Sequence, residues 1–259
     1  LVLAKGGGYT GEVIVKLDPY VGATIDDINA TYGTKTLKSL DLFADIYLLE
    51  LPSGDDPKFL AEDMGLDARL SFAEPNFIAQ APEANTRGIG GWGGLDPAPY
   101  TSQYAADLID LTPAWVISRG AGSVVAVLDT GAQLDHPELA SSFTLARHDF
   151  IDGDDVPEDV FSFVDSNGNG LIDEATGHGT HVAGIVHLVA PEAQIMPLRV
   201  LDSNGDGDKF TLAEAIIYAI HNGANVINLS LGTPDQSDLL KEVIREATLN
   251  NVVVVAAAG

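Results

Sequence analysis

Residues 123–131 read SVVAVLDTG, a serine, five apolar residues in succession, and then an aspartate, a threonine and a glycine. A strand that is apolar on both faces belongs in a sheet covered on both sides, whereas a half-exposed strand alternates. Working outward, HGTHVAGIVHLV (178–189) predicts a helix, AQIMPLRVL (193–201) a strand, TLAEAIIYAIHNG (211–223) a helix and ANVINLSLG (224–232) a strand. SDLLKEVIREATLNN (237–251) then predicts a helix and VVVVAAAG (252–259) a last strand. Apolar strands alternating with amphipathic helices predict an α/β fold, a parallel sheet with helices on both faces. Reactive groups in such sheets collect beyond the carboxyl ends of the strands. Asp129 stands at one of those ends.

The first eighty residues have a different rhythm. GEVIVKL (11–17) alternates as a half-buried strand. TIDDINATYG (24–33) predicts a helix with Thr24 as N-cap, Asp26 and Asp27 in the first turn and Gly33 as its stop. TKTLKSL (34–40) and ADIYLLEL (44–51) are strands. DDPKFLAEDMG (55–65) is a helix with Asp56 as cap, Pro57 at the first helical position and Gly65 at the end, and ARLSFAEPNFIAQ (68–80) closes with a strand. The order β-α-β-β-α-β predicts a small ferredoxin-like α+β domain over residues 1–80. Residues 81–99, rich in glycine and proline, predict an exposed linker. Its string GIGGWG (88–93) matches GxGxxG, but with no strand before it and no helix after it a dinucleotide site is not expected. A second domain then fills residues 100–259.

Composition narrows the function. Thirteen basic against 38 acidic residues give a net charge of −25, so neither nucleic acid nor an anionic membrane is an expected partner. The chain has no cysteine, which excludes disulfides and a thiol nucleophile, and its longest apolar runs are strand-sized, too short to span a bilayer.

His178 opens its helix between Gly177 and Gly179. An imidazole at a helix N-terminus is biased toward the neutral form, able to accept a proton, and a nearby aspartate would steady the cation once formed. His181, one turn on, is expected to be a packed core residue. A zinc pair is not expected, because a third ligand and the HExxH spacing are lacking.

The blocks VVAVLDTGAQLDHPEL (124–139), GHGTHVAGIV (177–186) and VINLSLG (226–232) resemble, in order, three signatures of the subtilisin-like serine proteases. Residues 1–80, with the ending AEPNFIA (73–79), resemble the inhibitory propeptide of that family. The resemblance implies that Asp129 is the triad aspartate and His178 the general base. It also implies that Ser230, Leu231 and Gly232 pair with the substrate backbone, while LDSNGDGDKF (201–210), with Gly205 and Gly207, edges the other side of the substrate. Further implications are polypeptide substrates, an intramolecular prodomain covering the active site, autocatalytic processing within about residues 80–100, and secretion.

The family's serine block and oxyanion asparagine are not matched, which reads as a chain broken off before them. The 259 residues are therefore expected to be inactive on their own, a fragment of a zymogen. The competing reading is a catalytically dead binding or inhibitory protein, and a third is a calcium-loaded structural module. Many relatives insert a calcium loop after the histidine helix, yet HVAGIVHLVAPEA (181–193) runs straight on, so Glu138 is expected to be a surface or capping residue. DSNGNGLIDE (165–174) instead places Asp165, Asn167, Asn169 and Asp173 around Gly170 at an EF-hand-like spacing. Position twelve is Thr176 instead of glutamate, so a calcium loop competes there with a plain Asn-Gly turn. In DSNGDGD (202–208) calcium competes with the substrate-edge role.

Overall fold

The computed structural model describes residues 8–40, 42–81, 100, 102–233 and 236–257. They form two compact units, one of described residues up to Ala79 with 207–217 and 233–246, the other of 80–206, 218–232 and 247–257. Most of the Gly/Pro-rich linker, GIGGWG included, lies outside the described residues.

The first unit is built on an antiparallel sheet of β1 (Tyr9–Leu17), β2 (Lys35–Leu40), β3 (Phe43–Glu50) and β4 (Leu70–Gln80) in the order β2-β3-β1-β4, with β8 (Asp206–Asp208) joined at the β4 side. Helices α1 (Ile25–Tyr32) and α2 (Pro57–Met64) connect the strands. Ile28 of α1 and Ala61 and Met64 of α2 share one core with Val13, Val15, Leu17, Leu49 and Leu70, so alternate residues of β1 face the helices as the sequence pattern requires. Both helices begin where their own sequence directs. The Thr24 hydroxyl accepts from Asp27 N while the Asp27 carboxylate accepts from Thr24 N at 2.9 Å, a reciprocal capping box, and Gly33 ends α1 at φ 69°. Asp56 accepts from Lys58 N and Phe59 N ahead of Pro57.

The same unit holds the first part of α6 (Lys209–His221) and most of α7 (Asp238–Leu249). Their amino ends are satisfied by β4. Buried Glu74 accepts from Ser237 Oγ at 2.5 Å and Asp238 N at 2.7 Å, and Asn76 accepts from Phe210 N at 3.2 Å while donating to Asp208 at 3.1 Å. Lys16–Glu242 and Lys38–Glu214 ion pairs, each 2.9 Å, join the same segments.

The second unit carries a fully parallel sheet of β5 (Val124–Asp129), β6 (His148–Asp149), β7 (Gln194–Arg199), β9 (Val226–Leu229) and β10 (Val253–Ala256), ordered β10-β9-β5-β7-β6. Helix α5 (His178–Val189) lays Val182 and Ala183 on Val125, Val127 and Ile195. Two short helices, α3 (Tyr104–Leu108) and α4 (Leu111–Trp115), and the two-residue β6 have too little periodicity to be foreseen. His181 corrects an expectation. It is exposed, because the buried stripe of α5 runs through 178, 179, 182 and 183, and 181 falls outside it.

Candidate active site

Asp129 ends β5 and is fully buried. Its Oδ1 accepts from Thr130 N at 2.8 Å and faces His178 Nδ1 at 2.6 Å, and Oδ2 has no hydrogen-bond partner among the described residues. Burial pushes the Asp129 carboxyl above its ordinary value, while the hydrogen bond from His178 pulls the other way. A carboxylate in that position needs the imidazole, because an unpaired buried charge is costly. The imidazole in turn is held as the tautomer that donates from Nδ1 and accepts at Nε2.

Three glycine and threonine positions permit this approach. A Cβ on Gly179 would collide with the Gly131 carbonyl oxygen and press on Asp129 Cβ at 3.1 Å, so the start of α5 meets the end of β5 only because residue 179 lacks a side chain. Gly131, at φ 105°, runs against Pro157 and Glu158. Between them Thr130 Oγ1 accepts from Gly179 N at 3.0 Å.

One residue of this constellation escaped sequence reasoning. α5 has no side-chain cap from its own N-cap, Gly177. Asp159 supplies one from a distant loop: Oδ1 accepts from Gly177 N at 2.9 Å and Thr130 Oγ1 at 3.3 Å, and Oδ2 from Thr180 N at 3.2 Å and Thr180 Oγ1 at 2.8 Å. Its carboxylate thus ties together the segments that carry Asp129 and His178. Nothing near Asp159 in the sequence signals a helix start.

Ser230, Leu231 and Gly232 follow β9, and Gly205 adopts φ 82° before β8. Gln80 and Gly232 form an antiparallel bridge, with Gln80 N donating to Gly232 O at 3.0 Å and Gly232 N to Gln80 O at 2.9 Å, and Ala81 N donates to Gly205 O at 3.0 Å. Residues 80–81 therefore run between the two segments. Gly207 lies in β8, buried. Ser230 Oγ accepts from Asn228 Nδ2 at 2.9 Å, and Glu138 is exposed.

Of the four residues expected at calcium, three share a loop. Asp165 accepts from Gly168, Asn169 and Gly170 N, and Asn167 and Asn169 both donate to Glu174 Oε1. Asp173 is the exception. Its carboxylate is turned away onto Ser162 N at 2.7 Å and Phe163 N at 3.0 Å, because residue 173 sits in the left-handed region at φ 53°. Among the described residues no three His, Asp or Glu side chains converge on one point that could hold a metal.

The comparisons with known proteins give the family. This chain belongs to the subtilase family, whose model matches residues 120–259, and with it to the subtilisin-like serine endopeptidases. It is 38% identical to thermitase of Thermoactinomyces vulgaris over 63% of this chain and 57% of thermitase. It is 32% identical to a thermophilic serine proteinase of Bacillus sp. (strain AK1) over 98% of this chain and 60% of that protein. The chain thus spans under two thirds of the length of these relatives. In fold it is similar to fervidolysin of Fervidobacterium pennivorans, a keratinolytic enzyme related to subtilisin, with a TM-score of 0.71 at 23% identity over 99% of this chain and 41% of fervidolysin. No helix among the described residues is long and apolar enough to cross a membrane.

Proposed function

We propose that this chain is part of a serine endopeptidase precursor acting on polypeptides. In this reading residues 1–80 are a ferredoxin-like inhibitory propeptide, 81–99 the linker carrying the processing site, and 100–259 the first part of the catalytic domain. The strand order β2-β3-β1-β4 with two connecting helices supports the first assignment. The pairing of Gln80 with Gly232 and of Ala81 with Gly205 supports the inhibitory role. A peptide taken up as an added strand draws affinity from such main-chain bonds, so Ser230–Gly232 on one side and Gly205–Gly207 on the other are the proposed substrate-binding segments.

The contact that carries this reading is the 2.6 Å approach of His178 Nδ1 to Asp129 Oδ1. His178 accepts at Nε2 the proton of a serine hydroxyl as its oxygen bonds to the substrate carbonyl carbon. It then returns that proton to the departing amine as the C–N bond breaks. Water, deprotonated by the same imidazole, opens the resulting acyl-enzyme. Asp129 fixes the tautomer throughout and stabilises the imidazolium between the two transfers. Asp129 and His178 are the two members of the triad assigned to residues of this sequence. The mature enzyme acts outside the cell, as is usual for a secreted zymogen.

Calcium is the metal this reading includes. Asp165, Asn167 and Asn169 fit it as oxygen donors of one loop, and Asp173, committed elsewhere, does not. When bound, the ion would supply charge compensation and rigidity to the loop before α5.

Treatment of the full-length gene product with a fluorophosphonate probe tests the proposal. One serine should be labelled, and labelling should be lost in His178→Ala. Labelling of that variant at the wild-type rate would defeat it.

A further inference from the structure

Gln80 is held by its backbone and, separately, by its side chain. Its N–H and C=O exchange hydrogen bonds with Gly232 at 3.0 and 2.9 Å, as a residue in a paired strand does, and the next residue, Ala81, donates to Gly205 O at 3.0 Å. Those bonds engage main chain only, and the side chain finds a partner of its own: Gln80 Nε2 donates to Asp206 Oδ1 at 2.5 Å. Asp206 follows Gly205 directly and opens β8. It is 5% exposed, with Oδ2 buried and without a hydrogen-bond partner among the described residues. Gln80 is only half-buried, so a longer side chain has room at that position.

A stiff turn aims the carboxylate. Asp202 Oδ1 accepts from Asn204 N at 2.9 Å and from Asp206 N at 3.0 Å, Asp202 N donates to Asp206 O at 2.8 Å, and Gly205 between them adopts φ 82°. A group fixed in this way discriminates between ligands, because it cannot move to suit each one.

Main-chain bonds to Gly232 and Gly205 serve any sequence, so selectivity at residue 80 has to come from the side chain. A buried carboxylate is costly without donors. Burial pushes the Asp206 carboxyl up, the Gln80 amide pulls it back, and the Asp202 and Glu174 carboxylates add to the rise. A cationic donor would offset that cost further than a neutral amide, since charge-assisted hydrogen bonds are about twice as strong. We infer that Asp206 determines specificity at the substrate position paired with Gly232, selecting side chains that donate hydrogen bonds, arginine and lysine before glutamine, and rejecting glutamate and aspartate. The inference rests on the endopeptidase reading above, in which residues 80–81 follow the path of a substrate. It adds the substrate class: polypeptides with a basic or amide side chain at that one position. Sites built around a buried hydrogen-bonding group reject ligands that leave the group unpaired.

A peptide with the sequence of residues 73–81, AEPNFIAQA, and its Gln80→Arg, Gln80→Ala and Gln80→Glu forms, assayed as competitive inhibitors of the processed full-length gene product, test this. Ki should rise in the order Arg, Gln, Ala, Glu and span about a hundredfold. In Asp206→Asn the ratio of the Glu to the Arg peptide should shrink to within about threefold, and in Asp206→Lys the order should invert. The wild-type series requires no altered protein, so misfolding of a variant does not decide the outcome. Equal Ki values across that series, or an order retained in Asp206→Asn, overturn the inference and leave the endopeptidase reading standing. If the enzyme cleaves protein but none of the peptides inhibits it, the inference falls together with the substrate-binding role of Ser230–Gly232. A full-length product without peptidase activity defeats the proposed function itself and this inference with it.

Discussion

Helices α1 and α5 solve the same problem, four backbone N–H groups without intrahelical partners, by opposite means. α1 uses residues three apart in its own sequence, Thr24 and Asp27, on an exposed end. α5 opens on Gly177 and borrows the carboxylate of Asp159, eighteen residues earlier, at a buried end pressed against β5. The acidic groups beside the two ends diverge accordingly. Hydrogen bonds from Thr24 hold Asp27 below its ordinary value, whereas burial lifts Asp129 above it. The difference teaches that a local cap builds a helix, while a remote cap also positions what the helix carries. At α5 the cargo is His178.

The most severe way to break the contrast is Gly179→Ala. The added Cβ would meet backbone of Gly131, which cannot step aside like a flexible side chain, so the variant should lose about 3 kcal/mol and the pairing of His178 with Asp129. Urea unfolding reads the first, and loss of the low-field Nδ1 proton resonance reads the second. Asp159→Ala should cost about 2 kcal/mol, since several donors at the start of α5 lose a charged acceptor at once. Hydrogen exchange should rise at Gly177 and Thr180 and stay unchanged at α1. An intact exchange pattern would show that α5 does not depend on the remote carboxylate.

The local cap should matter less. Thr24→Ala should cost about 1 kcal/mol, readable as a shift in urea midpoint with the His178 resonance unmoved. The smallest effect concerns pH. Because Asp27 titrates below the ordinary carboxylate value of 3.8 when folded, its contribution is fully present above that value and disappears as pH falls through the depressed one. The stability gap between wild type and Asp27→Asn should therefore be constant from neutrality to about pH 5 and close below pH 4. A gap that widens on acidification would contradict the capping box.

Legibility followed the same divide. Thr24, Asp27, Gly33, Asp56 and Pro57 were readable because each acts on neighbours within one turn. So were the apolar strand ending in Asp129 and the glycine-flanked His178, whose residue types restrict what can surround them. His181 was misjudged because a three-residue spacing only loosely fixes which side of a helix is covered. Asp173 misled because its spacing fits a metal loop while its backbone turns the carboxylate onto Ser162 and Phe163.

The amino-acid sequence by itself determined the two rhythms of this protein, the alternating half-exposed strands of its first part and the apolar strands and amphipathic helices of its second. Those patterns depend on periodicity and burial, which neighbouring residues encode. Only the tertiary structure decided that Asp159, Glu74 and Asn76 would cap helices far along the chain, and that Glu174 and Asp206 would be enclosed. A hydrogen bond acts across about 3 Å of space whatever the separation along the chain, so these pairings are created by packing and leave no local trace.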